Sequence, residues 1–399
     1  MTFCDPLPGE YSRLLYLSRN DWQDLLRWLD TSGLALYFFD RLEELGLLET
    51  LPMAVLTRLR QNLADNSERI KAMIAESVAL QHRFQDAGLS YAVLKGFSLW
   101  PLSVPKLELR TQLDLDFLVE EEGAIEARHI LEEFGYRIHA ISGRSWEFKA
   151  GEHWPPSLDN LYKAGVSRSA ELHLESPGRS GFSLLSRTQK RQFHGVLMPV
   201  LSHVDLFLGQ GLHLYKHVCS PCARTAHMIE FRRHVVARFE DGPFWAQLQQ
   251  RVSNDPPTSL RLGVAIHLIS QTMGPFAPHA LSCWTVDHLP ANARLWIDLY
   301  ARRSALASFP GSKLYLLLEN ALESEGLVAK RSLRQALLPC RLPPVIGHAV
   351  EGENYYRRLH RYYWRLHFLF SRLRFHLVEG IRYLYELILW RRYQRELSK

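Results

Sequence analysis

Cysteine is scarce in this chain. Its 399 residues include five, Cys4, Cys219, Cys222, Cys283 and Cys340, at scattered positions. So sparse and odd a set argues against a disulfide framework and fits a reducing compartment. Long apolar runs are missing too. No stretch of about 18 apolar residues lacks charge, so no membrane-spanning helix is expected. Residues Met1 to Pro6 show no basic segment followed by an apolar run, and no signal peptide is expected. A cytoplasmic location follows as an expectation. Low-complexity tracts and internal repeats are also lacking. What is present is ordinary: 47% hydrophobic and 23% charged residues, the composition of a soluble globular protein. Such a length suffices for about two or three packed units.

Excess charge is lacking everywhere but at one end. The formal net charge is +6, yet residues 355–399 hold ten Arg, one Lys and three Glu, or +8, which leaves −2 for the rest. Partner arguments from charge therefore apply to this C-terminal tail alone. There Arg is interleaved with Tyr, Trp, Phe and Leu at helical spacing. A basic amphipathic helix of this kind can lie on an anionic membrane, peripheral to its inner face, or contact RNA. The plainer reading packs the aromatics on the body and turns Arg to water.

Along the chain, residues 10–85 read as helices. Apolar positions recur at helical spacing in Trp22, Leu25, Leu26, Trp28 and Leu29, and again in Ile70, Met73, Ile74, Val78 and Leu80. Near Leu89 the pattern changes. Tyr91-Ala92-Val93-Leu94 reads as a short buried strand that stops at a tight turn, Lys95-Gly96. Leu113 to Val119 alternates, with Leu113, Leu115 and Phe117 on one face and Asp114, Asp116 and Leu118 on the other. A helix is predicted over 122–134, closed by Gly135. Strands are predicted from Tyr136 to Ile141 and, strictly alternating, from Ala170 to Glu175. From about 188 to 338 helical patterns return, interrupted by Pro-rich links at Asp255-Pro256-Pro257 and Gly274-Pro275-Phe276-Ala277-Pro278. The expected organisation is a helical region (1–88), an α/β core (89–187), a helical domain (188–338), a linker (339–354) and the tail (355–399). The expected fold class is α+β: a mixed sheet with flanking helices in a mostly helical protein.

One constellation carries chemistry. Asp114 and Asp116, two apart on a strand, point to the same face, roughly 6–7 Å apart. Carboxylates so placed repel unless a cation sits between them, and Mg²⁺ takes one or two carboxylates plus phosphate oxygens. A D-x-D pair alone is common by chance, and its plain reading is a solvated strand face. Its surroundings change the weighting. Upstream, Gly96 at a strand end lets backbone N–H groups approach a phosphate, and Lys95 adds a point charge. Arg110 is spaced to bind phosphate bidentately or to hold the carboxylates. Downstream, Glu171 shares a polar strand face with His173 and Glu175, where it can complete a metal site or act as general base. A surface salt bridge for Lys95 and Arg110, and a packed or edge-strand role for His173, are the plain alternatives. His213, His217, Cys219 and Cys222 have zinc-like ligand types. They crowd into ten residues, however, unlike the usual separated pairs, so packed or capping roles are expected.

Taken together, Leu94-Lys95-Gly96, Arg110-x-x-x-Asp114-x-Asp116-Phe117-Leu118-Val119, a helix ending Phe134-Gly135-Tyr136, and Glu171-Leu172-His173 resemble the bacterial uncharacterised nucleotidyltransferase family, within the DNA polymerase β-like superfamily. The resemblance covers about residues 70–240. It implies a minimal nucleotidyltransferase core followed by a helical domain that closes over the nucleotide. Asp114 and Asp116 match the metal-binding pair, and Glu171 matches the third acid, more often Asp in this family. Lys95-Gly96 stands where relatives place a Gly-Ser phosphate-binding turn, with Ser98 two residues further on. The stretch 211–234 resembles the helices that follow, where Lys216 is placed to reach the triphosphate.

The expected site is therefore catalytic Asp114, Asp116 and Glu171, the same three holding Mg²⁺ or Mn²⁺, with Lys95, Gly96, Ser98, Arg110 and Lys216 binding nucleotide. The expected reaction moves a nucleoside monophosphate from an NTP, ATP among the candidates, to a hydroxyl acceptor on a small molecule, protein or RNA. Pyrophosphate is released. The competing expectation is a catalytically weak nucleotidyltransferase-like protein that binds or regulates, attached to a membrane periphery through its tail.

Overall fold

The computed structural model describes residues 2–4, 7–151, 157–165, 168–175, 183–220, 224–307, 311–324, 326–327, 332–338 and 355–397. The expected linker 339–354 and Cys222 lie outside them. Two compact units result. Met1–His213, Thr225–Arg251 and Phe276–Ala280 form the first; Leu214–Arg224, Val252–Pro275 and Leu281–Lys399 form the second.

The first unit opens with three helices, α1 (Arg19–Ser32), α2 (Ala35–Glu44) and α3 (Met53–Asp86). The start of α1 is a capping box: the Ser18 hydroxyl accepts from the Asp21 N–H, and the Asp21 carboxylate accepts from the Ser18 N–H. The sheet follows, built from β1 (Tyr91–Leu94), β2 (Leu115–Glu120), β3 (Arg137–Ser142), β4 (Ser145–Ala150), β5 (Arg168–Glu175), β6 (Gln189–Phe193) and β7 (Val196–Val200). Helix α4 (Ala124–Glu133) joins β2 to β3, and Gly135 after it takes the left-handed conformation, φ 84°. The strand order β3-β4-β5-β2-β1-β7-β6 makes β2 the central strand. It runs antiparallel to β1 and parallel to β5. From Leu115 to Val119 every residue of β2 is buried, as expected of a strand covered on both faces. Ile70, Leu80 and Phe84 of α3 join its core. Phe84 meets Tyr91 and Phe117 edge to face, each at 5.2 Å between ring centroids. Helices α5 (His203–Val218), α6 (Ala226–Ala237) and α7 (Gly242–Val252) complete this part of the chain.

The second unit is helical: α8 (Pro256–Met273), α9 (His279–Ser282), α10 (Ala291–Ala305), α11 (Tyr315–Ser324), α12 (Leu333–Leu337) and α13 (Tyr355–Leu397). Buried Trp296 of α10 donates its indole N–H to the Leu314 carbonyl at 2.8 Å. The segment Asp255-Pro256-Pro257 starts α8. Asp255 accepts from the Thr258 N–H, and proline suits a first turn that has no partner for its N–H groups.

The fold is α+β, a mixed seven-stranded sheet with flanking helices. Three features differ from the sequence reading. Helical patterning was expected from about 188, but β6 and β7 form a hairpin there, turned by His194 (φ 43°) and Gly195 (φ 89°). Gln189-Lys190-Arg191-Gln192 carries no apolar alternation, because β6 is an edge strand, and Pro199 interrupts β7. Strand β4 also went unread, although Trp146, Phe148 and Ala150 alternate with polar neighbours. Leu113, expected on the buried face, precedes β2 and is exposed. Phe117→Ala empties the centre of the core and should lower stability by about 3–5 kcal/mol, read as a lower urea midpoint for the first unit's transition.

Candidate active site

The site is an accident of register made useful. Leu94 of β1 pairs with Asp116 of β2, and Asp116 pairs in turn with Glu171 of β5. Lys95 immediately follows β1 and Asp114 immediately precedes β2. Because those strands are antiparallel, both residues fall at the same end of the sheet as Asp116. His173, two residues beyond Glu171, shares its face.

Asp116 is 3% exposed, and a buried carboxylate needs partners. Lys95 supplies one: its Nζ donates to Asp116 Oδ1 at 2.6 Å and lies 3.6 Å from Glu171 Oε2. His173 supplies another, its Nε2 standing 3.0 Å from the same Asp116 oxygen and 3.4 Å from Glu171 Oε2. Ser145 of β4 donates its hydroxyl to Glu171 Oε1. The protonation pattern follows. Burial opposes the charge of His173, but hydrogen bonds to Asp116 and Glu171 outweigh it and lift the imidazole to about 9. The His173 hydrogen bond holds Glu171 well below the usual carboxylate range, against burial and with help from Ser145 and Lys95. Burial pushes Asp114 up to about 6, and the charge of Asp116 pushes the same way, while Lys95 and Arg110 pull down.

The turn after β1 is strained. Lys95 adopts φ 45° and Gly96 φ 35°, a region costly for a side chain and tolerated when surroundings enforce it. A Cβ on Gly96 would lie 2.3 Å from Gln112 Nε2, so any larger residue would have to displace that side chain and adopt a positive φ. That amide in turn donates to the Asp114 carbonyl at 2.9 Å, tying the turn to the aspartate segment. Ser98 is buried and donates its hydroxyl to the Lys95 carbonyl at 2.7 Å, bracing the turn from below.

Arg110 is committed elsewhere. Its Nε donates to Glu230 Oε1 of α6 at 3.0 Å, where the Tyr37 hydroxyl also donates at 3.1 Å. Glu230 is 2% exposed. Asn66 of α3 donates to the carbonyls of Glu108 and Arg110, fixing the backbone before Asp114. Lys216 stands exposed on the last turn of α5, among the residues of the second unit.

Of the residues singled out from sequence, Lys95, Asp114, Asp116 and Glu171 come together, Gly96 and Ser98 shape the turn, and Arg110 sits behind the aspartates. Among the described residues, Asp116, Glu171 and His173 offer ligand atoms within 4.8 Å of one another, a group able to hold a metal ion. His173 was the member not counted, although the alternation Glu171-Leu172-His173 already placed it on the acidic face. Ser145 and Tyr37 carried no such signal, since partners so remote in sequence are set by topology.

Two outcomes test this geometry. Pairing raises His173 above its ordinary 6.5, so its stabilisation is complete below about pH 6.5 and is lost as pH rises through about 9. Without added divalent metal, the His173 ring signals should titrate near 9 by NMR, and Asp116→Asn should bring the midpoint down. Removing Glu230 as Glu230→Ala strands the Arg110 charge and should cost about 3–5 kcal/mol, with part regained by adding Arg110→Met, both measured by chemical denaturation.

No curated protein matches the chain. A solved structure of an antigenic nucleotidyltransferase-like protein from Paracoccidioides brasiliensis is 16% identical, covers 54% of this chain and 97% of its own, and superposes with a TM-score of 0.31, too weak a likeness to bear on the fold. The family model described as uncharacterised nucleotidyltransferase matches residues 18–274, spanning α1 to α8 with the whole sheet and its acidic cluster. The chain belongs to the uncharacterised nucleotidyltransferase family.

Proposed function

We propose that the chain is a metal-dependent nucleotidyltransferase that moves a nucleoside monophosphate from an NTP to a hydroxyl acceptor. The observation that carries this reading is the convergence of Asp116, Glu171 and His173 beside Asp114 and Lys95. In the reaction the acceptor oxygen bonds to the α-phosphorus, the bond from that phosphorus to the pyrophosphate oxygen breaks, and the hydroxyl proton passes to a base or solvent.

The residues fit a divalent cation. Carboxylate oxygens are hard donors suited to Mg²⁺ or Mn²⁺, and a cation would offset both the burial that drives Asp114 up to about 6 and the like charge of Asp116 that adds to it. Asp114 and Asp116 would hold the ion with Glu171 completing the set, and when bound it supplies positive charge against the triphosphate. The depressed pKa of Glu171 suits a ligand better than a base. Lys95 meets phosphate oxygens from its strained turn, Gly96 opens backbone N–H groups to them, and Ser98 holds the turn. Arg110, held by Glu230, orders the segment that carries Asp114.

The test uses labelled ATP, CTP, GTP and UTP with Mg²⁺ and a broad extract of acceptors. Asp114→Ala with Asp116→Ala should cut pyrophosphate release by at least about a hundredfold. Equal release by wild type and variant with all four nucleotides sinks the reading. One observation favours a binding or regulatory role instead: Lys95 and His173 already neutralise Asp116 from within. Nucleotide binding that needs no divalent metal and survives loss of both aspartates would establish that role.

A further inference from the structure

Helix α13 runs unbroken through 43 residues, but its two halves live in different surroundings. In the C-terminal half, Glu379, Tyr383, Glu386 and Trp390 are buried and mark one face. Asn320 donates to the Tyr383 hydroxyl at 2.9 Å, Arg303 donates to Glu386 Oε1 at 2.7 Å, and Trp390 packs near Tyr300. All of these belong to the second unit, which grips the helix there.

Among the described residues, the opposite face is apolar and exposed from Leu359 to Ile388. Leu359, Leu366, Leu373, Leu377, Leu384 and Ile388 are each more than half exposed, from 51% to 71%. At 3.6 residues per turn they fall within a sector of about 60°, and the stripe is about 44 Å long. Followed towards the N-terminus in steps of seven, the gripped face becomes Arg372, Arg365 and Arg358. Tyr356, Tyr363 and Tyr385 are exposed on the stripe's other flank. Residues 355–378 contain six arginines and no acidic residue.

We infer that α13 is a docking helix that lays its leucine stripe into the surface of an anionic bilayer. Each part of the pattern has a place there. The stripe enters the acyl boundary, the tyrosines sit at headgroup depth, and the arginines meet lipid phosphates and carboxylates. Among the described residues no helix is long and apolar enough to cross a membrane, so the attachment is along the surface. A second copy of the helix fits less well. Pairing on the stripe would cover the leucines but make no use of the basic face that carries Arg358, Arg365 and Arg372. RNA would take the arginines and aromatics but leave six aliphatic side chains in water.

The full chain should float with phosphatidylcholine vesicles that contain phosphatidylserine and not with phosphatidylcholine alone, and added salt should weaken it. Replacing Arg358, Arg361, Arg365 and Arg372 with Gln should reduce partitioning by roughly fivefold per arginine. Leu359→Ser with Leu366→Ser and Leu373→Ser should abolish it, while circular dichroism confirms the helix in both variants. Failure to float with anionic vesicles overturns the inference. So does flotation indifferent to the leucines, a concentration-dependent dimer that the leucine variant alone dissolves, or an RNA gel shift without vesicle binding.

Discussion

A carboxylate buried on the central strand of a sheet is the constraint around which this molecule is arranged. Asp116 has little water to solvate it, so its charge survives only if protein groups take water's place. The sheet provides them from both sides: an ammonium from the turn after β1 and an imidazole from β5. Both arrivals depend on register. A one-residue slip of β5 against β2 would turn Glu171 and His173 to the far face and leave Asp116 half-paired.

The strain in the Lys95-Gly96 turn belongs to the same account. A lysine with positive φ is a local cost, and it persists because Gln112, Ser98 and the Asp116 carboxylate fix the turn together. Behind it, the Arg110–Glu230–Tyr37 group does for the aspartate segment what Lys95 does for the strand end. It removes freedom at a point where charges of like sign are crowded. The result is a preorganised cluster of opposed charges rather than a surface collection of acids.

Much of this was legible in the sequence. Strands β1, β2 and β5 announced themselves through a short apolar run and through alternation, and the meeting of Lys95, Asp114, Asp116 and Glu171 followed from their order. What escaped notice had physical reasons. The β6–β7 hairpin hides behind four consecutive polar residues and a His-Gly turn in place of the commoner Asn-Gly. His173 looked like a packed histidine because its partner, Asp116, is 57 residues away. Arg110 has its counter-charge in Glu230, 120 residues on, which local spacing does not show. Local pattern reveals elements; it does not reveal which buried charge answers which.

The polar edge strand β6 also bears on where the sheet stops. A sheet of seven strands ends in two rows of backbone groups open to pairing with another chain, the usual route to aggregation. Here β6 presents exposed Gln189, Lys190 and Gln192 at one margin. At the other, β3 carries exposed Arg137 and a bulge between Ile138 and Ala140. A polar row on one side and a kinked row on the other make poor templates for a further strand. The sheet is thereby finite, closed to a further strand by the chemistry of its margins.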